Sequence, residues 1–549
     1  MSKAQNLRVA LAQINVTVGD INGNRHRILD AVASARDDHH ADLVVFPELA
    51  LTGYPADDLL LRPGFLLRAQ EVLDELAAEV QGIDVVIGHP AEVDGQRYNS
   101  ASWIRDGHIL GRYDKHCLPN YAVFDERRYF SAGEQSLVIE VKGVKVGVII
   151  CEDGWFSEPI AAAKAQGAQL VVAPNASPYR RGKQADRQQT MGLRARENDL
   201  PLVYANLVGG QDELLFDGRS MFLNADGGIA FTAAHCQEQL AVADLPPAAE
   251  GHWSVATEAL PPLAEIAEIY QVLVLGLRDY LEKNDFPRAL LGLSGGIDSA
   301  LSLALAVDAL GAEQVTAVYM PSAHSSELSD RLAQEQAEML GVRLLTMPID
   351  SIVGGFEQTL TPELGELGHD ITAQNLQARA RGMLLMALSN ARGAMLLATG
   401  NKSEMATGYS TLYGDMCGGY APIKDVSKTL VYALSEYRNR LSPAVPRGVI
   451  DRPPSAELAP GQMDSDSLPP YDVLDPILER YVERDASIAE IVEAGFAESI
   501  VRKVAGMVLR NEYKRRQAAP GTRITRRAFG RDRRYPITSG WRESGEKPS

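Results

Sequence analysis

The chain has little cysteine, with four residues among 549. The four lie far apart and form no Cys-x-x-Cys pair: Cys117, Cys151, Cys236 and Cys417. This spacing excludes a disulfide framework and the common zinc-binding patterns. An isolated cysteine is more often a buried apolar side chain than a nucleophile, so a catalytic role for any of them needs evidence from its surroundings.

Long apolar runs are also absent. No segment approaches the roughly 18 to 20 apolar residues that are needed to span a bilayer. Residues 1–6 lead into a strand-like segment and lack the apolar region of a signal peptide. The composition, 45% hydrophobic and 23% charged, is that of a folded globular protein. We therefore expect a cytoplasmic protein.

Positive charge is in deficit, because the formal net charge is −18. Binding to a phosphate backbone requires a cationic surface, so nucleic acid is not expected as a partner. One local exception is the segment 514–534, which holds nine Lys or Arg residues against one Asp. Two interpretations of this basic segment stay open: a solvated tail, or a clamp for a small anionic molecule.

A chain of this length exceeds one ordinary hydrophobic core and predicts two or more domains. Short β-branched runs alternate with helical periodicity in both halves, which indicates a layered α/β fold with active groups at strand ends. Strands are predicted at 7–16, 41–47, 84–89, 144–151, 169–174, 201–207, 289–293, 314–320, 343–349 and 394–399. Helices are predicted at 22–36, 66–80, 299–309, 327–340 and 374–390. Proline-rich stretches between the halves predict domains at 1–245 and 264–540, a linker at 246–263 and a tail at 541–549.

The string Ser-Gly-Gly-Ile-Asp-Ser at 294–299 follows a predicted strand and precedes a predicted helix. Two glycines let backbone N–H groups turn towards phosphate oxygens, and the helix N-terminus adds positive potential. Ser294 and Ser299 can add hydroxyl donors, and Asp298 can hold a magnesium ion. A bare Gly-Gly turn is common, but the full string in this context is far more specific. It resembles the PP-loop of ATP pyrophosphatases, which cleave ATP to AMP and pyrophosphate while adenylating a substrate.

Later segments narrow this resemblance. Asn-Leu-Gln-Ala-Arg at 375–379, Asn-Lys-Ser-Glu at 401–404 and Tyr-Gly-Asp at 413–415 follow in order. Together with the loop they are similar to the synthetase domain of NAD synthetases over about residues 264–540. The resemblance implies a doubly wound parallel sheet, and a reaction in which the nicotinate carboxylate of deamido-NAD is adenylated and then attacked by ammonia.

The same resemblance implies site residues at matching positions. ATP contacts would come from Gly292, Leu293, Ser294, Gly295, Gly296, Ile297, Asp298, Ser299, Thr399, Lys428 and Ser455. Deamido-NAD contacts would come from Asn375, Glu404 and Lys514, and Mg²⁺ would be held by Asp298 and Glu404. The loop 412–421 departs from members that use free ammonia: it carries Leu412 and a Met-Cys-Gly-Gly run where they carry Lys and Asp. Dinucleotide contacts in this loop are therefore not carried over.

Three polar residues in the first half follow or adjoin strand-like segments. Glu48 ends the apolar run 43–47, Lys115 lies in Tyr-Asp-Lys-His-Cys-Leu-Pro-Asn-Tyr at 113–121, and Cys151 follows the apolar run 144–150. A carboxylate at the end of an apolar strand suits a general base, and a thiol on a tight turn can be exposed and activated as a nucleophile. Taken singly, Cys151 is more often structural and Lys115 is more often a surface charge.

In combination, Phe-Pro-Glu, Lys-x-x-Leu-Pro-Asn-Tyr and Cys-Glu-Asp resemble the nitrilase (carbon–nitrogen hydrolase) superfamily over about residues 5–240. The resemblance implies an αββα sandwich. Glu48 would be the general base, Lys115 would stabilise the tetrahedral oxyanion and Cys151 would form a thioester. The segments 124–130 and 175–179 match glutaminase domains, in which Tyr121, Ser177 and Lys183 would hold glutamine.

A nitrilase-type triad ahead of a PP-loop domain predicts an amidotransferase that takes ammonia from glutamine, with Mg²⁺ accompanying ATP. The resemblance also implies an enclosed path for the ammonia and a homo-oligomer, with an octamer as one form. Two alternatives stay open at this point. One is a PP-loop amidotransferase with a different acceptor, and the other is a non-catalytic nucleotide-binding protein with an inactive amidase.

Overall fold

The computed structural model describes residues 6–246, 251–255, 263–366, 370–455, 457–459, 461–541 and 543. The chain divides into two compact units, Met1–Leu263 and Ala264–Ser549. Within the described residues, the helices are too short or too polar to cross a membrane.

The first unit contains two sheets and four α-helices among its described residues. The helices are α1 (Ile21–Ala33), α2 (Pro63–Glu79), α3 (Glu158–Ala165) and α4 (Lys183–Asn198). The strands up to the middle of the unit are β1 (Leu7–Gln13), β2 (Leu43–Val45), β3 (Asp84–Val93), β4 (Gln96–Arg105), β5 (His108–Asp114), β6 (Leu137–Val141) and β7 (Val144–Val148). The remaining strands are β8 (Leu170–Asn175), β9 (Leu202–Asn206), β10 (Val208–Gln211), β11 (Leu214–Asp217), β12 (Met221–Leu223), β13 (Ile229–Thr232), β14 (Gln239–Leu245) and β15 (Ser254–Val255).

The two large sheets of this unit pack face to face. Their strand orders are β15-β14-β1-β2-β3-β4-β5 and β13-β12-β9-β8-β7-β6, and β10 pairs with β11 separately. One apolar cluster joins residues of both sheets, such as Leu43, Val45 and Val172. Two further clusters join the outer faces of the sheets to helices α1 and α2 and to helices α3 and α4. The predicted αββα sandwich is confirmed.

The strand β2 shows why these segments read as continuous apolar runs. Leu43 and Val45 point into the layer between the sheets, whereas Val44 packs against the helical layer. Successive side chains of a strand face opposite sides, so a strand that is covered on both faces needs apolar residues at every position.

The second unit is a parallel sheet with helices. Its strands are β16 (Ala289–Gly292), β17 (Val315–Tyr319), β18 (Arg343–Thr346) and β19 (Met395–Leu397). Its helices are α5 (Glu265–Glu282), α6 (Ile297–Leu310), α7 (Glu327–Leu340), α8 (Asp350–Leu364), α9 (Ile371–Arg392), α10 (Lys402–Thr407), α11 (Lys428–Leu441), α12 (Arg447–Asp451), α13 (Tyr471–Leu478), α14 (Ile488–Glu493), α15 (Glu498–Arg510) and α16 (Glu512–Arg515).

The sheet order β18-β17-β16-β19 makes a topological switch between β16 and β19. From β16 the chain moves outward through β17 to β18, and β19 then adds on the other side of β16. In such sheets the loops beyond the carboxyl ends of the two strands at the switch diverge and leave a crevice that binds ligands. The predicted doubly wound parallel-sheet domain is confirmed, and the loop at 294–299 lies at this crevice.

The structure corrects parts of the segment predictions. Ser254–Val255 pairs with β14, so this part of the predicted linker belongs to the sheet of the first unit. Residues 247–250 and 256–262 of the linker lie outside the described residues, as do residues 542 and 544–549 of the tail. Strands β4 and β5 were not predicted, because the start of β4 reads Gln-Arg-Tyr-Asn-Ser and has no β-branched run.

Candidate active sites

Three strands of the first unit bring the predicted triad together. Glu48 follows β2, Lys115 directly follows β5, and Cys151 lies just beyond β7. Lys115 Nζ donates a hydrogen bond of 2.7 Å to Glu48 Oε1. Cys151 lies close enough for its thiol to be influenced by the charges of Glu48 and Lys115. The strands place at one point three side chains that are about 100 residues apart in sequence at the extremes.

The Glu48 carboxylate is held by three donors. Lys115 Nζ and Asn99 Nδ2 each lie 2.7 Å from Oε1, and the backbone N of Ala176 lies 2.9 Å from Oε2. The side chain is 1% exposed. A carboxylate oxygen accepts about two hydrogen bonds, so Oε2 retains an open acceptor direction. This oxygen is therefore available to take a proton.

Glu126 is a fourth member of this cluster that sequence reasoning missed. Lys115 Nζ lies 2.8 and 2.9 Å from its two carboxylate oxygens, and Tyr54 OH donates to Oε1 at 2.8 Å. Burial raises the pKa of Glu126, although the Lys115 charge opposes the shift. In the sequence this residue stands beside Arg127 and Arg128 and reads as a surface charge. Its membership in the segment matched to glutaminase domains was the available signal.

Lys115 is a fully buried cation between two carboxylates. Burial works against its charge, but the charges of Glu126 and Glu48 raise the pKa of Lys115 well above the usual lysine value. The ammonium form is thus fixed in place. Such a pre-oriented cation is suited to stabilise an oxyanion that forms beside it.

Cys151 occupies a strained and buried turn. Its φ of +44° lies in the left-handed region, which is costly for a residue with a Cβ atom. The residue is 6% exposed, so the expectation of an exposed thiol is wrong. Burial, together with the Glu48 charge, raises the pKa of the Cys151 thiol well above its ordinary value. The resting thiol is therefore neutral and needs a base to become a nucleophile.

The predicted glutamine-binding residues surround Glu152, which follows Cys151. Tyr121 OH donates to the Glu152 carboxylate at 3.0 and 3.2 Å. Lys183 Nζ lies 3.9 Å from the centre of the Trp155 ring, and burial and two nearby arginines lower the pKa of Lys183 to about 8. Ser177 is buried and accepts a hydrogen bond of 3.1 Å from Arg187 Nε, so a structural partner already uses its hydroxyl.

A cavity of about 590 Å³ in the second unit collects the other predicted residues. Its walls include Gly292, Leu293, Ser294, Gly296, Ile297, Asp298, Ser299, Asn375, Thr399, Glu404, Lys428, Ser455 and Lys514. Gly295 differs from its neighbours in the loop because it serves the turn. Its φ is +76°, and a Cβ atom there would lie 2.7 Å from the backbone oxygen of Ser329. A side chain at this position is excluded by both the backbone conformation and the space.

Asp298 and Glu404 share one cation in this cavity. Lys428 Nζ forms an ion pair with Asp298 Oδ2 and lies 3.7 Å from Glu404 Oε1. Asn401 Nδ2 donates to the other Asp298 oxygen at 2.9 Å. Burial and the neighbouring Asp298 charge raise the pKa of Glu404 to about 8. The switch point thus holds two carboxylates and an ammonium group that come from the two loops beside it and from α11.

The remaining predicted contacts line the cavity but already bond to protein groups. Thr411 Oγ1 donates to Asn375 Oδ1 at 2.9 Å. Lys514 Nζ donates to the carbonyl oxygens of Gly408 and Ser410, each at 2.8 Å. Ser455 Oγ donates to the carbonyl of Gln462 at 2.5 Å. These side chains would have to exchange partners, or offer their remaining valences, to hold a ligand.

The basic segment 514–534 matches neither of its two interpretations well. Arg515, Arg523 and Arg533 are buried and pair with Glu512 or Asp532. Arg515 also donates to the backbone oxygens of Met405 and Ala406 near the end of α10. These cations are structural, because they neutralise buried acids and satisfy helix-end carbonyls.

Comparisons with known proteins agree on both halves. Residues 8–254 match the family described as carbon-nitrogen hydrolase, and residues 269–518 match the family described as NAD synthase. A glutamine-dependent NAD(+) synthetase of Xanthomonas campestris is 50% identical over 547 residues, which cover 98% of both chains. One from Acinetobacter baylyi is 50% identical over 542 residues, covering 98% of this chain and 99% of the relative. The solved structure of glutamine-dependent NAD+ synthetase from Acinetobacter baumannii with ADP has a TM-score of 0.80 and 48% identity over 98% of this chain and 99% of that one.

Proposed function

The chain belongs to the family of glutamine-dependent NAD(+) synthetases, ATP-dependent ligases with glutamine as amido donor, and from this we propose how its residues divide the reaction. The first unit hydrolyses glutamine to glutamate and ammonia. The second unit adenylates deamido-NAD with ATP, and ammonia converts the adenylate to NAD with release of AMP. The observation that carries the proposal is the presence, in one chain, of the Glu48–Lys115–Cys151 cluster and of the PP-loop cavity with Asp298.

In the first unit, Cys151 attacks the carboxamide carbon of glutamine. Glu48 is the base that takes the thiol proton, because Oε2 has an acceptor direction open and the thiol is neutral at rest. The Lys115 ammonium stabilises the oxyanion of the tetrahedral intermediate. Glu126 holds that ammonium from the other side and so keeps it charged and oriented. Water then hydrolyses the thioester, with Glu48 again as the base.

The amino-acid head of glutamine is a zwitterion and needs one anion and one cation. Glu152 offers the carboxylate for the α-ammonium group, with Tyr121 orienting it from 3.0 Å. Lys183 offers the cation for the α-carboxylate, and its position over Trp155 fixes the ammonium group. Ser177 shapes the wall of this subsite through its bond with Arg187.

A pH dependence follows from Lys183. Its pKa of about 8 means that the ammonium form dominates below pH 8 and is lost above it. The charged fraction falls from about nine-tenths to one-tenth between pH 7 and pH 9, so we expect the KM for glutamine to rise about tenfold over this range. The measurement is glutaminase KM against pH in the wild-type chain and in Lys183→Arg. The arginine variant should give a flat profile, since arginine stays charged; an identical rise in both would assign the titration to another group.

In the second unit, the backbone N–H groups of the loop 294–299 and the N-terminus of α6 receive the ATP phosphates, with Ser294 and Ser299 as hydroxyl donors. Lys428 supplies a cation, and Thr399 and Ser455 contact the nucleotide from the opposite walls. Asn375, Glu404 and Lys514 contact deamido-NAD. Leu412 and Cys417, in the loop that departs from the family pattern, also line the cavity and would offer apolar contacts there.

Magnesium fits the pair Asp298 and Glu404. Both carboxylates face one position that already stabilises the Lys428 cation, and Mg²⁺ is usually held by one or two carboxylates with phosphates and water. Among the described residues there is no group of three or more His, Cys, Asp or Glu side chains placed for a metal, so phosphate oxygens and water would complete the coordination. When bound, the ion would neutralise charge that develops on the phosphates. Asn401 keeps Asp298 oriented for this role.

The direct test of the function is conversion of deamido-NAD to NAD with ATP. We expect the full chain to form NAD, AMP and pyrophosphate with either glutamine or ammonium chloride, and to release one glutamate for each NAD made from glutamine. A product other than NAD would point to another acceptor. Absence of AMP with both nitrogen sources would contradict the proposal. Light scattering on the same preparation would test the expected homo-oligomer.

A further inference from the structure

Asn99 lies on β4 between the two charged members of the first site. Its Nδ2 donates to Glu48 Oε1 at 2.7 Å, and its backbone oxygen accepts from Lys115 N at 2.8 Å. The residue is 0% exposed. Sequence reasoning gave it no role, because an asparagine in a polar run reads as a surface strand residue.

The other end of this amide is a buried acceptor. Asn99 Oδ1 has no hydrogen-bond partner among the described residues. An ionised carboxylate can accept hydrogen bonds and cannot donate them, so the contact with Glu48 requires Nδ2, not Oδ1, to face it. Buried acceptors without a donor are rare in native proteins, and at an active site the missing donor is commonly a substrate or water.

The location of Oδ1 limits which donor this is. Oδ1 and Nδ2 share one carbon atom, so Oδ1 lies beside the Glu48 carboxylate. Glu48 Oε1 is taken by Lys115 and Asn99, and Oε2 is shared between Ala176 N and the proton in transfer. The atom that receives this proton from Glu48 is the nitrogen of the leaving group. That nitrogen also carries two N–H donors.

We propose that Asn99 Oδ1 accepts a hydrogen bond from the carboxamide nitrogen of glutamine, which makes Asn99 a catalytic residue that selects amides over esters. This inference rests on the roles of Glu48 and Cys151 in the proposed function. In the step concerned, Cys151 Sγ bonds to the carboxamide carbon and its proton passes to Glu48. The same proton then moves to the amide nitrogen as the C–N bond breaks, and ammonia leaves with the bonding electron pair.

An ester of glutamate separates this role from simple positioning of Glu48. The γ-methyl ester keeps the amino-acid head and the carbonyl carbon, but its leaving oxygen has no hydrogen to donate to Oδ1. Loss of the Nδ2 bond to Glu48 would slow both substrates by a common factor. Loss of the Oδ1 bond would slow the amide alone, since a site built for a donor discriminates against a substrate that lacks it.

The experiment compares kcat/KM for glutamine and for glutamate γ-methyl ester in the full chain and in Asn99→Leu. We expect about a 100-fold loss with glutamine and about a 10-fold loss with the ester, so the amide-to-ester ratio falls at least about tenfold. NAD synthesis from ammonium chloride should be unchanged. The matched control is Asn198→Leu, another buried asparagine of this unit, whose Nδ2 donates to Arg194 O at the end of α4; its ratio should match wild type.

Equal losses with both substrates would overturn the inference and leave Asn99 as a support for Glu48. Should Asn99→Leu fail to fold, Asn99→Ala removes the same two hydrogen bonds with less steric demand, and its ratio decides in the same way. Cys151→Ala separates this failure from that of the proposed function. A Cys151→Ala chain that still hydrolyses both substrates would refute the assigned roles themselves.

Discussion

Replacing Cys151 with alanine abolishes NAD synthesis from glutamine and leaves synthesis from ammonium salts near the wild-type rate. The thiol is the atom that forms the thioester, and the neighbouring Glu48 and Lys115 have no other nucleophile to activate. Removal of a nucleophile from a catalytic cluster costs at least about 10³-fold in kcat. The synthetase cavity is lined entirely by residues of the second unit and contains its own PP-loop. We therefore expect the loss to be specific for the nitrogen source.

The measurement is NAD formation with saturating glutamine and, separately, with ammonium chloride. Cys236→Ala is a suitable control, because Cys236 is a half-buried cysteine of the same unit outside the Glu48 cluster. It should leave both activities unchanged. Loss of both activities in Cys151→Ala would contradict the division of labour between the two units. Retention of glutamine use would assign the nucleophile elsewhere.

Replacing Asp298 with asparagine should have the reverse pattern. Asp298 lies at the N-terminus of α6, pairs with Lys428 and shares that cation with Glu404. Asparagine keeps the shape but removes the charge that would hold Mg²⁺ and orient the lysine. Loss of one electrostatic element of this kind costs about 10²- to 10³-fold in rate. We expect AMP formation to fall by that factor with glutamine and with ammonium salts alike, while glutamine hydrolysis continues.

The assay follows AMP by chromatography and glutamate by a coupled reaction in the same samples. Asp285→Asn is the matched control, because Asp285 is an exposed residue of the same unit in a turn outside the cavity wall. It should leave AMP formation unchanged. If glutaminase turnover disappears together with AMP formation in Asp298→Asn, then the state of the synthetase site controls the first unit, and the two reactions are not separable.

Local patterns in the sequence determined the chemistry of both sites. The loop 294–299 carries its phosphate-binding function in six consecutive residues, because turning backbone N–H groups towards an anion requires glycines next to a helix start. Likewise, an apolar run that ends in Glu48 or Cys151 predicts a polar group at the end of a buried strand. Strand and helix periodicity predicted both layered folds, since burial on two faces requires continuous apolar runs.

The tertiary structure decided which polar groups share each site and in what state. Glu126 and Asn99 join Glu48 through Lys115 and through strands β4 and β5, which have no strong sequence signal. Cys151 is buried and neutral at rest, contrary to the expected exposed thiol, because the packing of the two sheets covers its turn. Spacing along the chain can place a residue at the end of a strand. Burial, hydrogen-bond partners and pKa depend on side chains from distant segments, so they are fixed when the layers pack.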